Sequence, residues 1–240
     1  MTVLLRTEGI SKAFGGVQAL DDCSIEVEAA SITGLIGPNG SGKTTLFNII
    51  TGYERPDRGE VFLGGKKITK KTPRQVFAAG LGRTFQLTRI FPRLTVLENM
   101  LIAQRHADRG RAMDQLEFCG IAGHSSALAG TLSYGQRKLL EMAYVLVADP
   151  EIVLLDEPAG GINPSLIHLI ADRIKELNAQ GKTFLVVEHN MEFVMNLCDH
   201  VAVLDYGRVV AAGPPAEIRQ DPRVLDAYLG TGEEDDEPAA

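Results

Sequence analysis

Eight consecutive residues, Gly37-Pro38-Asn39-Gly40-Ser41-Gly42-Lys43-Thr44, satisfy the spacing G-x-x-x-x-G-K-[ST]. They follow the apolar stretch Ile32-Thr33-Gly34-Leu35-Ile36 and precede the helical pattern Leu46-Phe47-Asn48-Ile49-Ile50. Strand, glycine loop and helix in that order make a phosphate cradle. Glycines let successive backbone N–H groups turn toward one point without a Cβ clash, and the new helix adds its positive end. Lys43 would neutralise the β and γ phosphates of a bound polyphosphate. The Thr44 hydroxyl would ligate magnesium, with Thr45 beside it on the nucleotide.

Two further groups carry chemistry. Leu155-Asp156-Glu157 ends the apolar run Ile152-Val153-Leu154-Leu155 with adjacent carboxylates, at the sheet edge where α/β folds gather ligands. Successive strand residues point apart, so the two acids are expected to take different tasks: Asp156 holding magnesium, Glu157 polarising an attacking water. Ser133 and Gln136, in Leu132-Ser133-Tyr134-Gly135-Gln136, have capping-box spacing and start a helix. Taken alone, that cluster describes a well-capped helix and nothing more.

The elements that must position these residues alternate. Leu4 to Ile10, Cys23 to Val27 and Gly59 to Leu63 read as short strands, and Thr72-Pro73-Arg74-Gln75 opens a helix stopped by Gly80. Leu81 to Phe85 reads as a strand. From Leu87 to Val147 long helical stretches are expected with no strand, opened by the capping box Thr95-Val96-Leu97-Glu98. The second half returns to buried strands at 152–155, 184–187 and 201–204. Between the first two lies a helix capped at Asn163-Pro164 and stopped by Gly181, the pattern of a parallel sheet.

Composition bounds the class. The chain has 240 residues, 45% hydrophobic and 23% charged, enough for one sizeable soluble domain with a smaller inserted unit. No apolar run approaches the ~20 residues that span a bilayer. Met1 to Arg6 is too short for a signal peptide, so the chain is expected to stay in the cytosol. Cys23, Cys119 and Cys198 are odd in number and lack ligand spacing, and they read as buried or incidental thiols. Of the net charge of −7, five units come from Glu233, Glu234, Asp235, Asp236 and Glu237, in a stretch without apolar periodicity. Residues 231–240 therefore read as a disordered acidic tail. No basic stripe with interleaved aromatics appears, which excludes nucleic acid as a partner.

With the phosphate loop before it and the acidic strand end after it, the Ser133 cluster resembles the L-S-G-G-Q signature of ATP-binding cassette proteins. The resemblance covers most of the chain. It implies a P-loop (RecA-like) α/β core with an antiparallel β subdomain and an inserted α-helical subdomain. Residues 1–230 would form the nucleotide-binding domain, with its core at 1–86 and 148–230 and helices at 87–147. ATP and Mg2+ are the implied cofactors. Gln86, in Arg83-Thr84-Phe85-Gln86, corresponds to the loop residue that touches magnesium and water. His189, 32 residues after Glu157, corresponds to the switch histidine, and Phe14 to the aromatic that stacks on adenine. On the residues alone, Phe14 has a core phenylalanine as its alternative reading, and a lone histidine at a strand end such as His189 is more often structural. Ser133, Gly135 and Gln136 would serve the ATP of a second subunit, so that two chains sandwich two nucleotides. Tyr134 replaces the first signature glycine, Asn163 stands where many cassettes carry Asp, and Tyr144 stands where Arg is common.

Arg83-Thr84-Phe85-Gln86, Leu94 to Asn99, the aromatic signature and the ending Asp226-Ala227-Tyr228-Leu229-Gly230 are similar to one subfamily, the ATP-binding subunits of branched-chain amino acid importers. That subfamily implies an ATPase on the cytoplasmic face of the membrane. Its partners would be membrane-spanning permease subunits, a second ATP-binding subunit (a copy or a paralogue) and an external solute-binding protein. The segment around Arg105 to Asp114 is short for that subfamily. A groove near Gln86 and Thr88 to Pro92 would receive a cytoplasmic helix of the permease. The alternatives are a lipopolysaccharide-type exporter ATPase, whose signature usually carries two glycines, a non-transport cassette, which usually carries two cassettes or long coiled coils, and a regulatory module without turnover, against which Glu157 and His189 both count.

Overall fold

A computed structural model describes residues 2–84, 90–104 and 106–229. The chain begins with β1 (Val3–Phe14), β2 (Val17–Cys23), β3 (Glu26–Glu28), β4 (Ile32–Ile36) and α1 (Lys43–Ile50). There follow β5 (Arg58–Leu63), β6 (Lys66–Lys67), α2 (Pro73–Ala78), β7 (Leu81–Arg83), α3 (Val96–Ile102), α4 (Arg109–Phe118) and α5 (Tyr134–Leu146). The remainder is β8 (Ile152–Asp156), α6 (Pro164–Ala179), β9 (Thr183–Val187), α7 (Met191–Leu197), β10 (His200–Asp205), β11 (Arg208–Gly213), α8 (Pro215–Ile218) and α9 (Pro222–Leu229).

Two sheets result. An antiparallel sheet runs β2-β1-β5-β6, with β3 on a second stretch of β1. The other runs β11-β10-β4-β9-β8-β7, parallel from β10 to β7 with β11 antiparallel at its edge. Alternation along its strands divides the core into two layers. Val153 and Leu155, with Val186 and Val203, face the helices α5, α6 and α7; Ile152 and Leu154, with Leu185 and Leu204, face α1 and the antiparallel sheet. Asp156 continues the second set and so points to the α1 side. Phe47 of α1 and Phe184 are both fully buried, each on a different side of this sheet.

The structure revises several expectations. The single strand expected over Cys23 to Val27 is broken at Ser24-Ile25, because β1 is long enough to pair with both pieces. The break is held by Thr7 Oγ1, which accepts from Ile25 N at 2.9 Å, and by Ser24 Oγ, which accepts from Gly9 N at 2.9 Å. The strand expected to end at Ile10 continues to Phe14 through register shifts. Long helices do not fill the segment after Leu87. Among the described residues it holds α3, α4 and α5, of 7, 10 and 13 residues, and 3-10 turns at Ala122–His124 and Ala129–Thr131, with a bridge joining Thr95 to Leu128. Of the strand expected over Leu81 to Phe85, Leu81–Arg83 is observed; Phe85 and Gln86, like the tail at 231–240, lie outside the described residues. The three cysteines are buried, and burial pushes their thiols up to about 12. Among the described residues, no helix is long and apolar enough to cross a membrane.

Candidate nucleotide site

The loop between β4 and α1 is shaped by glycines that no other residue could replace. Gly37 (φ +151) would place a Cβ 2.0 Å from the Leu204 carbonyl oxygen, and Gly42 (φ +106) would place one 2.4 Å from that of Ala19. The loop is thus pressed against β10 and β2 from beneath, while Asn39 and Gly40 at its crest are exposed. Lys43 folds back over it, donating from Nζ to Gly37 O at 2.7 Å and Pro38 O at 2.8 Å. Burial holds this ammonium below its ordinary range, opposed by the nearby carboxylates of Glu157 and Asp156. Thr44 and Thr45 follow in the first turn, Thr44 exposed. A lysine satisfied by two loop carbonyls and the Ser41 hydroxyl of the same loop, a tight backbone cradle and a helix start form a site suited to an anionic phosphate.

A cleft of about 290 Å³ brings this loop together with Glu157 and His189, with Ala19 and Val187 on its walls. His189 Nδ1 lies 3.8 Å from Glu157 Oε1. The expectation that strand alternation separates Asp156 from Glu157 needs correction: β8 ends at Asp156, and Glu157 has left the strand with φ +49. A left-handed backbone at a non-glycine residue costs about 1–2 kcal/mol. Its own hydrogen bonds hold it there: Glu157 N donates to Val187 O at 2.9 Å, and Glu157 O accepts from Gly160 N at 3.2 Å and from Lys138 Nζ at 2.8 Å.

Asp156 does not line the cleft. Its Oδ2 accepts from Arg83 Nη2 at 2.8 Å, both side chains being only 6% exposed, and its backbone N–H donates to Thr84 Oγ1 at 3.1 Å. Arg83 Nη1 reaches Asn48 Oδ1 at 2.8 Å and Thr51 Oγ1 at 3.0 Å on α1, and its guanidinium lies 5.4 Å from the Phe47 ring centre. Phe14 is 45% exposed, which removes the core reading, and Lys12 Nζ lies 5.0 Å from its ring centre.

The signature residues stand apart from the cleft, at the start of α5. Ser133 Oγ accepts from Gln136 N at 3.3 Å, and Gln136 Oε1 accepts from Ser133 N at 2.9 Å, the reciprocal box read from their spacing. Gln136 Nε2 also lies 2.9 Å from His124 Nε2. Gly135 packs closely on α6: a Cβ there would lie 2.5 Å from Leu166 Cδ2 and would push that side chain aside. Asn163 caps α6, its Oδ1 accepting from Leu166 N at 3.0 Å.

Three residues of this region escaped the sequence reading: Arg83, Lys138 and Glu188. Glu188 is fully buried and accepts from Ala159 N at 2.6 Å on one oxygen, and from His189 N at 3.2 Å and Asn190 N at 3.3 Å on the other. Burial pushes its carboxyl above the usual range, with those amides pulling it back. The available signal was a carboxylate continuing the apolar run Phe184 to Val187. For Lys138 it was a lysine four residues after Tyr134 and four before Met142, on the inner face of an amphipathic helix.

A glycine loop with its lysine at a β4–α1 junction, two carboxylates where β8 ends, two strands away in the same parallel sheet, and a separate capped signature helix define a P-loop nucleotide-binding cassette. The sequence pattern of the ABC transporter family matches residues 20–160, and that of the branched-chain amino acid ATP-binding cassette transporter matches residues 208–234. The chain belongs to the ABC transporter family. It is 40% identical over 245 residues to a probable branched-chain amino acid transport ATP-binding protein LivG of Archaeoglobus fulgidus, covering 95% of each chain. It is 37% identical to the high-affinity branched-chain amino acid transport ATP-binding protein LivG of Escherichia coli K12, covering 95% of this chain and 98% of that one. Among solved structures, the ADP conformation of MJ1267, an ATP-binding cassette of an ABC transporter, superposes with a TM-score of 0.88 at 37% identity, covering 96% and 100% of the two chains. The dimeric cassette MJ0796 gives 0.81 at 26% identity, covering 88% and 99%.

Proposed function

We propose that this chain is the ATP-hydrolysing subunit of an ABC importer that energises uptake of branched-chain amino acids or related small solutes. The observation that carries the reading is the single cleft shared by the phosphate loop, Glu157 and His189. In it, loop N–H groups and Lys43 bind the phosphates, Glu157 orients and deprotonates the attacking water, and His189 steadies the Glu157 carboxylate and the terminal phosphate. Thr44 and Gln86 would hold Mg2+, and Asp156, which sits behind the cleft paired with Arg83, would reach it through the ion's water shell; the ion would neutralise charge on the phosphates. Phe14 is exposed and stacks on adenine.

The core at 1–86 and 148–230 handles nucleotide, and the helices at 87–147 present Ser133, Gly135 and Gln136 to the nucleotide of a second ATP-binding subunit. A groove of about 490 Å³ floored by Val76, Leu81 and Val145 and rimmed by Phe77, Phe91, Ile102 and Tyr144 suits an apolar helix of a permease subunit. On this reading the protein works at the cytoplasmic face of the membrane, with a solute-binding protein on the other side. The relatives named above are amino acid transport proteins, so the exporter alternative draws no support from them.

The test is ATP turnover by the purified chain beside Glu157→Gln, with sizing in ATP and magnesium. Loss of turnover in the variant, with a longer-lived ATP-dependent dimer, supports the reading. Wild-type turnover in Glu157→Gln refutes the role of Glu157, and failure to bind ATP refutes the function.

A further inference from the structure

α5 carries the signature residues on its first turn, where Ser133 and Tyr134 are exposed, and Lys138 one turn further on. Lys138 is largely buried. It is 6% exposed, its Nζ donates to the Glu157 carbonyl oxygen at 2.8 Å, and it lies 5.8 Å from the Tyr134 ring centre. An ammonium held inside a protein by a carbonyl and an aromatic face gives up most of its hydration, and a methionine of similar shape would fill the space without that cost. The residue it holds is the proposed general base, at the one place where that residue's backbone is left-handed. A Glu157 carbonyl that swings away would rotate the side chain on the same Cα away from His189.

We infer that Lys138 is a positioning residue: it ties the signature helix to the backbone of Glu157, so that one helix senses nucleotide at one site and fixes the base at the other. This rests on the proposed function. Ser133, Gly135 and Gln136 face the nucleotide of the second subunit, while Lys138 acts on the Glu157 of its own chain. A nucleotide that seats α5 therefore seats the base of the opposite site, and the two sites fire together. Lys138 acts through the Glu157 backbone and not on the nucleotide, so its effect belongs in kcat and in the coupling between sites.

The experiment compares wild type, Lys138→Met, Lys138→Arg, Glu157→Gln and Lys138→Met with Glu157→Gln in the full chain. Turnover against ATP concentration, binding of a fluorescent ATP analogue and amide exchange across 159–161 are the readouts. Lys138→Met is expected to lower kcat about tenfold, converting to about 1.4 kcal/mol, with analogue binding unchanged. The Hill coefficient should fall toward one and exchange at 159–161 should quicken several-fold. Lys138→Arg, which keeps a donor, should recover most of the loss, and Lys138→Met should add nothing to Glu157→Gln. Turnover within twofold of wild type with unchanged exchange overturns the inference, as does an equal fractional loss in the Glu157→Gln background. If Lys138→Met does not fold, Lys138→Gln, one bond too short for the carbonyl, is held to the same outcomes. Wild-type turnover in Glu157→Gln refutes the proposed function itself, whereas a dead Glu157→Gln beside an unimpaired Lys138→Met refutes only this inference.

Discussion

Arg83 and Asp156 form a buried ion pair 73 residues apart in sequence, and breaking it from one side should be costly in a way that breaking it from both sides is not. Both side chains are 6% exposed and 2.8 Å apart, so Arg83→Met leaves a carboxylate with its counter-charge removed and little water to replace it. Removing one partner of a buried pair costs about 3–5 kcal/mol. For a chain of this size roughly 2–4 °C is lost per kcal/mol, which predicts a melting temperature lower by roughly 6–20 °C. Asp156→Asn should cost a similar amount, because it strands the guanidinium among Asn48, Thr51 and Phe47. The double variant Arg83→Met with Asp156→Asn carries neither charge, and a neutral, well-packed replacement of a buried pair is close to isoenergetic. Urea melts of the four proteins without nucleotide therefore should give a coupling energy of at least about 2 kcal/mol, the double variant being more stable than either single one. Additivity within about 0.5 kcal/mol would show that the two charges do not depend on one another, and the argument from their burial would fail.

Gly37→Ala should abolish binding of a fluorescent ATP analogue, because its Cβ would sit 2.0 Å from the Leu204 carbonyl oxygen and only backbone displacement of the loop or of β10 could relieve the clash; a variant that binds the analogue as wild type does would refute the loop geometry. Glu188→Gln keeps an acceptor for Ala159 N but turns an amide NH2 toward the N–H groups of His189 and Asn190, at a cost of about 1–3 kcal/mol. The pH dependence has a definite sign. Burial raises the Glu188 carboxyl, so its contribution to stability is fully present below the ordinary glutamate pKa and is lost as pH rises through the folded value. The stability advantage of wild type over Glu188→Gln should widen as pH falls from 7 to 5, and urea melts showing it narrow would contradict the assignment.

What the sequence showed plainly was local. The phosphate loop needs adjacent residues, the capping boxes at Thr72, Thr95 and Ser133 need a spacing of three, and the buried strands β8, β9 and β10 need only unbroken apolar runs. β1 was cut short because its bulges interrupt the period-two pattern on which strand reading depends. The conformation of Glu157 was misread for a related reason: alternation describes a strand, and nothing in the pair Asp156-Glu157 announces that the strand ends between them. Arg83, Lys138 and Glu188 were out of reach because a buried charge becomes intelligible only when its partner is known. Those partners lie 73, 19 and 29 residues away.

These three buried charges have one thing in common that bears on how a cassette would work. Arg83 joins Asp156 to the far end of α1, Lys138 joins the Glu157 carbonyl to α5, and Glu188 joins Ala159, beyond Glu157, to His189. The first two tie a helix to the end of β8, and the third adds to the hydrogen bonds that already join β8 to β9. Apolar contacts tolerate sliding of a few tenths of an ångström at little cost, whereas a buried ionic hydrogen bond loses most of its strength when misaligned. Charges at the end of β8 therefore convert a small displacement of α1, α5 or the loop after β9 into a discrete change at the carboxylates. A core of the same volume built from apolar side chains would be as stable and would not make that conversion.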